Sequence, residues 1–349
     1  MNIVLLILSF FIFYGCDNRE LNDKEFLDLS KEKCQNLLFE EMNLEPFIGH
    51  PNKIRMIADT LIIGDKVDDK SLLLYDLMNN HYVRSLAIGS GPDDVSFPIS
   101  LDVNMINHEV AILQRRTGII RSYKLADLWA DTPQKIKNIR ISMTDAFALS
   151  GENVFEAGYN TNPTILQIDS EGETIGTVDY GMENKVTETG SNENTSFFKS
   201  TYVFQQADFI YNESNQMLMV APVFMPTIFF YKQQGHNWVK QDSLKVNTND
   251  FSERINRGDY TLKEEDIHGA VDVCKTNDYF YVLYDGTPMG NEQLNSMYIL
   301  QFTKEGDLGN IFKTNQGLLT FCVDDTDSEV YAVVRGSTDD FAIAKASLK

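Results

Sequence analysis

The chain has 349 residues, a net charge of −21 and a pI near 4.6. Such a surface repels phosphate backbones, so no nucleic-acid partner is expected, and the acidity serves solubility. The length allows two domains, but an all-β barrel or propeller of this size can form one cooperative body, and 22 Phe with 15 Tyr favour strands.

Residues 1–15, MNIVLLILSFFIFYG, carry no charged side chain. The apolar run 3–14 is too short for a standard membrane span and has the length of a signal-peptide h-region. It ends in FYGC, with Gly15 before Cys16, and DNRE follows. This motif resembles the lipobox of bacterial lipoproteins, although Tyr14 stands where a smaller residue is usual and the n-region has no Lys or Arg. The resemblance implies cleavage before Cys16 and lipid attachment to its sulfur and new amine. Residues 1–15 are then a signal peptide, 16–34 a tether, and 35–349 a single domain held at a membrane by several acyl chains. Three further cysteines remain, Cys34, Cys274 and Cys322. An odd number does not frame a disulfide scaffold, and Cys274 and Cys322, in similar strand-like contexts, read as buried small hydrophobes.

Residues 35–44, QNLLFEEMNL, can enter a sheet. Residues 54–98 then contain three apolar runs, 61–63, 72–75 and 82–88, separated by Asp, Asn and Gly. That is one antiparallel unit. The unit recurs at 99–139, with a helical turn at 124–130, and at 145–180, with a hairpin at DSEGE 169–173. It recurs again at 208–246, 269–313 and 318–346. Two polar stretches, 181–196 and 247–268, read as surface loops, and Thr261 with Glu264 fits a capping box that starts a short helix.

Six units of about fifty residues match a propeller period. The fold class expected is all-β: a six-bladed β-propeller of four-stranded antiparallel blades. The sixth unit is one strand short. Residues 35–44 should supply that strand by pairing with 341–346, because an open ring would expose a sheet edge. The segment IGSGPDD (88–94), followed by Pro98 and a strand, resembles the inter-blade segment of TolB-like and NHL-like six-bladed propellers. With the lipobox, the chain is similar to lipoproteins of Bacteroides-type bacteria. The resemblance implies a cell-envelope location, with the outer membrane favoured, and carries over no catalytic residue.

Chemistry-bearing patterns are few. Gly89 and Gly91 precede Pro92 and two aspartates rather than a helix, so they form a turn and not a phosphate cradle. Asp68-Asp69, Asp93-Asp94, Glu264-Glu265-Asp266 and Asp324-Asp325-Asp327 lack the ligand spacing of a calcium loop and read as solvated loops or hairpin turns. His50, His81, His108, His236 and His268 form no pair at metal-ligand spacing, and no G-x-S-x-G occurs. No catalytic residue, metal or cofactor is assigned. The aromatics of 197–204 and 224–231 read as blade core, with Phe224 and Tyr284-Asp285-Gly286 falling at strand ends. The functional reading is a membrane-anchored, non-catalytic propeller that binds an envelope protein or a glycan, with the two long loops as contacts. The alternative is a hydrolase or lyase acting on carbohydrate or a lactone, with acidic residues in the central funnel. A structural subunit of an envelope complex is the third.

Overall fold

The structure is a computed structural model that describes residues 27–115, 117–130, 133–141, 144–158, 164–180, 203–235, 237–291, 296–336 and 340–349. The expected signal peptide 1–15, Cys16, the expected loop 181–196, Phe197, Phe198 and His236 lie outside the described residues. No helix among those described is long and apolar enough to cross a membrane.

Two short strands come first, β1 (Gln35–Leu37) and β2 (Glu40–Glu41). Blade 1 follows as β3 (Pro51–Ile57), β4 (Thr60–Val67), β5 (Lys70–Asp76) and β6 (His81–Ala87). Blade 2 is β7 (Ile99–Asn104), β8 (Glu109–Gln114), β9 (Ile119–Lys124) and β10 (Lys135–Arg140), with α1 (Leu125–Leu128) between its last two strands. Blade 3 is β11 (Ala146–Ser150), β12 (Asn153–Ala157), β13 (Thr164–Ile168) and β14 (Thr174–Asp179). Blade 4 is β15 (Ala207–Asn212), β16 (Met217–Pro222), β17 (Thr227–Gln234) and β18 (Asn237–Lys245). After α2 (Ser252–Asn256), blade 5 is β19 (Ala270–Lys275), β20 (Tyr279–Tyr284), β21 (Tyr298–Thr303) and β22 (Leu308–Thr314). Blade 6 has three strands of its own, β23 (Leu318–Val323), β24 (Glu329–Arg335) and β25 (Phe341–Ser347). Neighbouring strands of each blade are antiparallel and in chain order. The innermost strands β3, β7, β11, β15, β19 and β23 touch one another round a closed ring. Six blades are therefore present, as the repeat predicts.

Alternate residues of a strand point to opposite faces, and in a propeller both faces meet another blade. This explains the near-continuous apolar runs. In blade 1, Ile62, Leu72 and Leu74 pack against Leu101 and Ile112 of blade 2. Their neighbours Leu61, Ile63, Leu73 and Tyr75 pack against Tyr331, Val333 and Ile343 of blade 6. The remaining four interfaces are built the same way. Cys274 faces blade 6 and Cys322 faces blade 1, each thiol buried and unbridged. Burial raises both thiols above their ordinary range.

Closure differs from expectation in its detail. Residues 35–44 do not form one strand of blade 6. Glu40 and Glu41 pair antiparallel with Lys345 and Ala344 of β25, giving blade 6 its fourth strand. Gln35–Leu37 instead lies parallel to β22 and makes blade 5 five-stranded. The reason is that Leu37 and Phe39 both fill the cleft between blades 5 and 6, so the chain must cross from one to the other. The belt starts earlier still. Leu27 donates its N–H to the Lys245 carbonyl at 2.9 Å, and Leu27 and Leu29 pack into the interface of blades 4 and 5. Within 27–34, expected as tether, Leu27 and Leu29 are thus packed against the body, while 30–33 stay exposed. The belt finishes where the buried Asp65 accepts hydrogen bonds from the Gly49 and His50 amides, at 3.0 and 2.7 Å, and from Arg84 at 3.1 Å.

The glycine segment is the inter-blade turn. Ile88 bridges Val95, Asp94 accepts from the Gly91 amide at 2.7 Å, and Arg121 donates to the Asp94 and Pro92 carbonyls. A Cβ on Gly89 or Gly91 would collide with the Asp94 carboxylate, which accounts for both glycines. Asp324 likewise closes its hairpin, accepting from the Ser328 and Glu329 amides at 2.7 and 2.9 Å.

Candidate functional site: the axial mouth

The innermost strands all start at one end of the ring, called here the mouth end. The opposite end carries the tight hairpins and is called the hairpin end. The mouth is a cavity of about 260 Å³, lined among others by Asn52, Lys53, Arg115, Asp145, Gln206 and Asp208.

Three strands shape it by the same device. β3, β19 and β23 each carry a register shift near their start, at Asn52, Val271 and Leu319. All three of those residues line the cavity. A bulge re-aims the side chain that follows it. Here the following residues are Lys53, Asp272 and Thr320, from blades 1, 5 and 6. Asp272 accepts from Lys53 Nζ at 2.6 Å, from both terminal nitrogens of Arg55 at 3.1 and 3.3 Å, from the Phe321 amide at 3.1 Å and from the Thr320 hydroxyl. Thr320 Oγ1 in turn accepts from the Ile54 amide at 3.2 Å. Across the mouth, Asp208 accepts from the same Lys53 ammonium at 2.6 Å.

These bonds answer a general problem. The inner edge of each innermost strand has unpaired N–H groups, and buried ones need partners. Asp272 of blade 5 supplies one for Phe321 of blade 6, and Asp102 of blade 2 supplies one for Leu149 of blade 3 at 2.7 Å. Burial alone would raise the Asp272 pKa, but Arg55 and Lys53 outweigh it and hold the carboxyl well below the usual range. Halfway down the axis, Arg55, Asp102, Ile210, Cys274 and Cys322 converge around a void of only about 10 Å³. The mouth is therefore a cup with a charged floor, and its floor is structural.

Arg115 is exposed at the rim. Desolvation raises the Asp145 carboxyl, opposed by the nearby Arg115 charge. Beside the mouth, residues 247–268 are a folded cap rather than the polar loop expected. Phe204, Phe224, Phe251 and Ile255 form its small core, with the Phe204 and Phe251 rings stacked at 4.4 Å. Arg254 lies over both rings and grips Asp266 at 2.6 and 2.9 Å. The helix of the cap is α2, whose N-cap is Phe251, ten residues before the N-cap that Thr261 and Glu264 indicate. Thr261 instead donates its amide to Asp259 at 3.2 Å and offers its carbonyl to Arg254. Asp266, expected in a solvated cluster, is buried as the partner of Arg254. Composition hid the cap because its apolar residues are few and scattered, and part of its core comes from before β15.

The other singled-out residues separate. Phe224 and Tyr284 are buried, and Tyr284 accepts from Asn247 at 2.9 Å. His268 meets Asp285 at 3.0 Å near the cap, and His81 stacks on Trp129 far from the mouth. Among the described residues no three His, Cys, Asp or Glu side chains are grouped to hold a metal. The mouth residues Lys53, Arg115, Asp145 and Asp208 carry no local sequence signal. They meet only because the ring brings four blades together.

The fold and its axial cup define a six-bladed β-propeller. The profile described as TolB-like 6-blade propeller-like matches residues 29–326, and the chain belongs to that family. A search of curated proteins finds no significant match. Among solved structures, the chain is similar to a Bacteroides fragilis protein inferred to be exported, at 16% identity and a TM-score of 0.56, over 89% of this chain and 94% of that one. It is also similar to a DUF4221-family member from Bacteroides vulgatus, at 9% identity and 0.55, over 90% and 97%. The β-propeller domain of Cps50 (Swd1) from Myceliophthora thermophila gives 11% and 0.50, over 88% and 98%. These likenesses concern the fold.

Proposed function

We propose that the protein is a lipid-anchored, non-catalytic binding propeller of the bacterial envelope, tethered through Cys16, which takes an envelope protein or a glycan at its mouth. The observation that carries the binding reading is the chemistry of the cup. Its walls are polar and held by cross-blade bonds, while Asp208 and Asp272 share Lys53 at 2.6 Å each. Carboxylates that neutralise a lysine and cap backbone amides are positioned to keep a shape, not to move protons. A hydrolase of the paired-carboxylate kind needs one protonated carboxyl. Arg55 and Lys53 hold Asp272 ionised, so that alternative would need a different mouth carboxyl, such as Asp145, which desolvation raises.

Two expectations follow from this reading. Cys16→Ser releases the protein from the membrane fraction and abolishes lipid labelling, and unchanged labelling overturns the anchor. Arg115→Glu reverses a charge at the exposed rim without touching the floor. It should weaken capture of the partner from envelope extracts by tenfold or more, about 1.4 kcal/mol, with an unchanged unfolding midpoint. Equal yields of the same partners from wild type and Arg115→Glu would remove the mouth from the binding surface.

A further inference from the structure

We propose that the anchor turns the mouth end of the ring toward the bilayer and the hairpin end away from it. This rests on the Cys16 anchor proposed above and adds an orientation to it. The belt is rooted at a definite place. Leu27 bonds to Lys245, the last residue of β18, and Lys245 pairs with Thr227, the first residue of β17. On the same blade, Ala207 pairs with Pro222, and both Ala207 and Val223 line the mouth. The root is therefore at the mouth end of blade 4.

Only ten residues, 17–26, separate Cys16 from Leu27. A flexible chain of that length averages roughly 18 Å between its ends. A blade strand of seven residues, such as β5 or β24, is about 23 Å long. To lay the hairpin end on the membrane, the leash would have to span at least that height, beyond its average reach though within its limit of about 38 Å. Keeping the mouth end near the bilayer requires no stretching.

Charge acts in the same direction. The hairpin turns 169–173, 304–307 and 324–328 hold eight carboxylates against the single cation Lys304. An anionic leaflet repels that end within a Debye length. The mouth end is acidic too but less one-sided: in the cap, three basic side chains, Arg254, Arg257 and Lys263, face six carboxylates, and Arg115 stands at the rim. The orientation limits the cup to ligands displayed close to the same membrane.

The test uses the full lipidated protein in phosphatidylethanolamine–phosphatidylglycerol vesicles that carry a headgroup dye. A fluorescent amino acid replaces Ser90, an exposed residue of a mouth-end turn, or Glu305, in a hairpin-end turn. Energy transfer to the dye should be several-fold greater from position 90. A twenty-residue Gly-Ser insertion between Asn18 and Arg19 should erase most of that difference. If the protein floats with the vesicles and position 305 transfers as well as position 90, the orientation is wrong. If the wild type does not float at all, the anchor fails, and the orientation falls with it for a different, visible reason.

Discussion

Asp272→Ala destabilises the propeller by about 3–5 kcal/mol, the cost of stranding a buried charge without its partner. The substitution leaves the Arg55 guanidinium hydrogen-bonded only to the carbonyls of Ile54, Phe321 and Val273, with the Asp102 charge nearby but not bonded to it. It also takes the acceptor from the Phe321 amide and from the Thr320 hydroxyl, and so loosens the join between blades 5 and 6. Chemical denaturation should show a lower midpoint with an unchanged slope. Adding Arg55→Met to Asp272→Ala should restore more than half of the loss, because the unpaired charge is then gone. A single-mutant loss under 1 kcal/mol would mean that the network carries little of the stability. The pH dependence has a fixed sign. The folded Asp272 pKa lies below its unfolded value, so its contribution is complete above the ordinary carboxylate pKa of about 4 and is lost as pH falls toward the folded value. Between about pH 5 and 3 the wild type should lose more stability than Asp272→Asn does. Parallel curves would contradict the depressed pKa.

Phe39→Ala has an expected cost of about 3–5 kcal/mol, and its neighbour provides the control. Phe39 is buried in the cleft of blades 5 and 6, whereas Leu38 is 68% exposed. Leu38→Ala should therefore stay within about 0.5 kcal/mol of wild type. The Phe39 amide also donates to Asn315 at 2.9 Å, next to the register of β1 on β22. Loss of the Phe39 side chain weakens the belt where it changes blades. Removing 27–44 altogether bares the outer edges of β22 and β25, and light scattering should then reveal association through those edges. A Leu38→Ala variant as damaged as Phe39→Ala would show that the belt is held by its backbone and not by the buried ring.

The repeat was legible because local rules produce it. Asp169 accepts from the Glu171 and Glu173 amides at 2.9 Å, the self-capped turn that DSEGE advertises. The runs LII and LLLY encode two buried faces, and their spacing encodes hairpins, so blade number follows from counting. The unfinished last unit likewise demands an N-terminal strand. The division of that strand between two blades was not legible, because the cleft that takes Leu37 and Phe39 exists only once blades 5 and 6 have packed.

The site lies at the other extreme. Lys53 stands 155 residues from Asp208 and farther still from Asp272, and no local pattern marks any of them. The amino-acid sequence by itself determined the six-bladed ring, its order and the need to close it, since strand length, turn chemistry and edge protection act within or between adjacent segments. Tertiary structure alone decided which carboxylates meet on the axis, because the ring closes through contacts between residues that are distant in the chain, and a bulge of one residue in β3, β19 and β23 sets which side chains point into the cup.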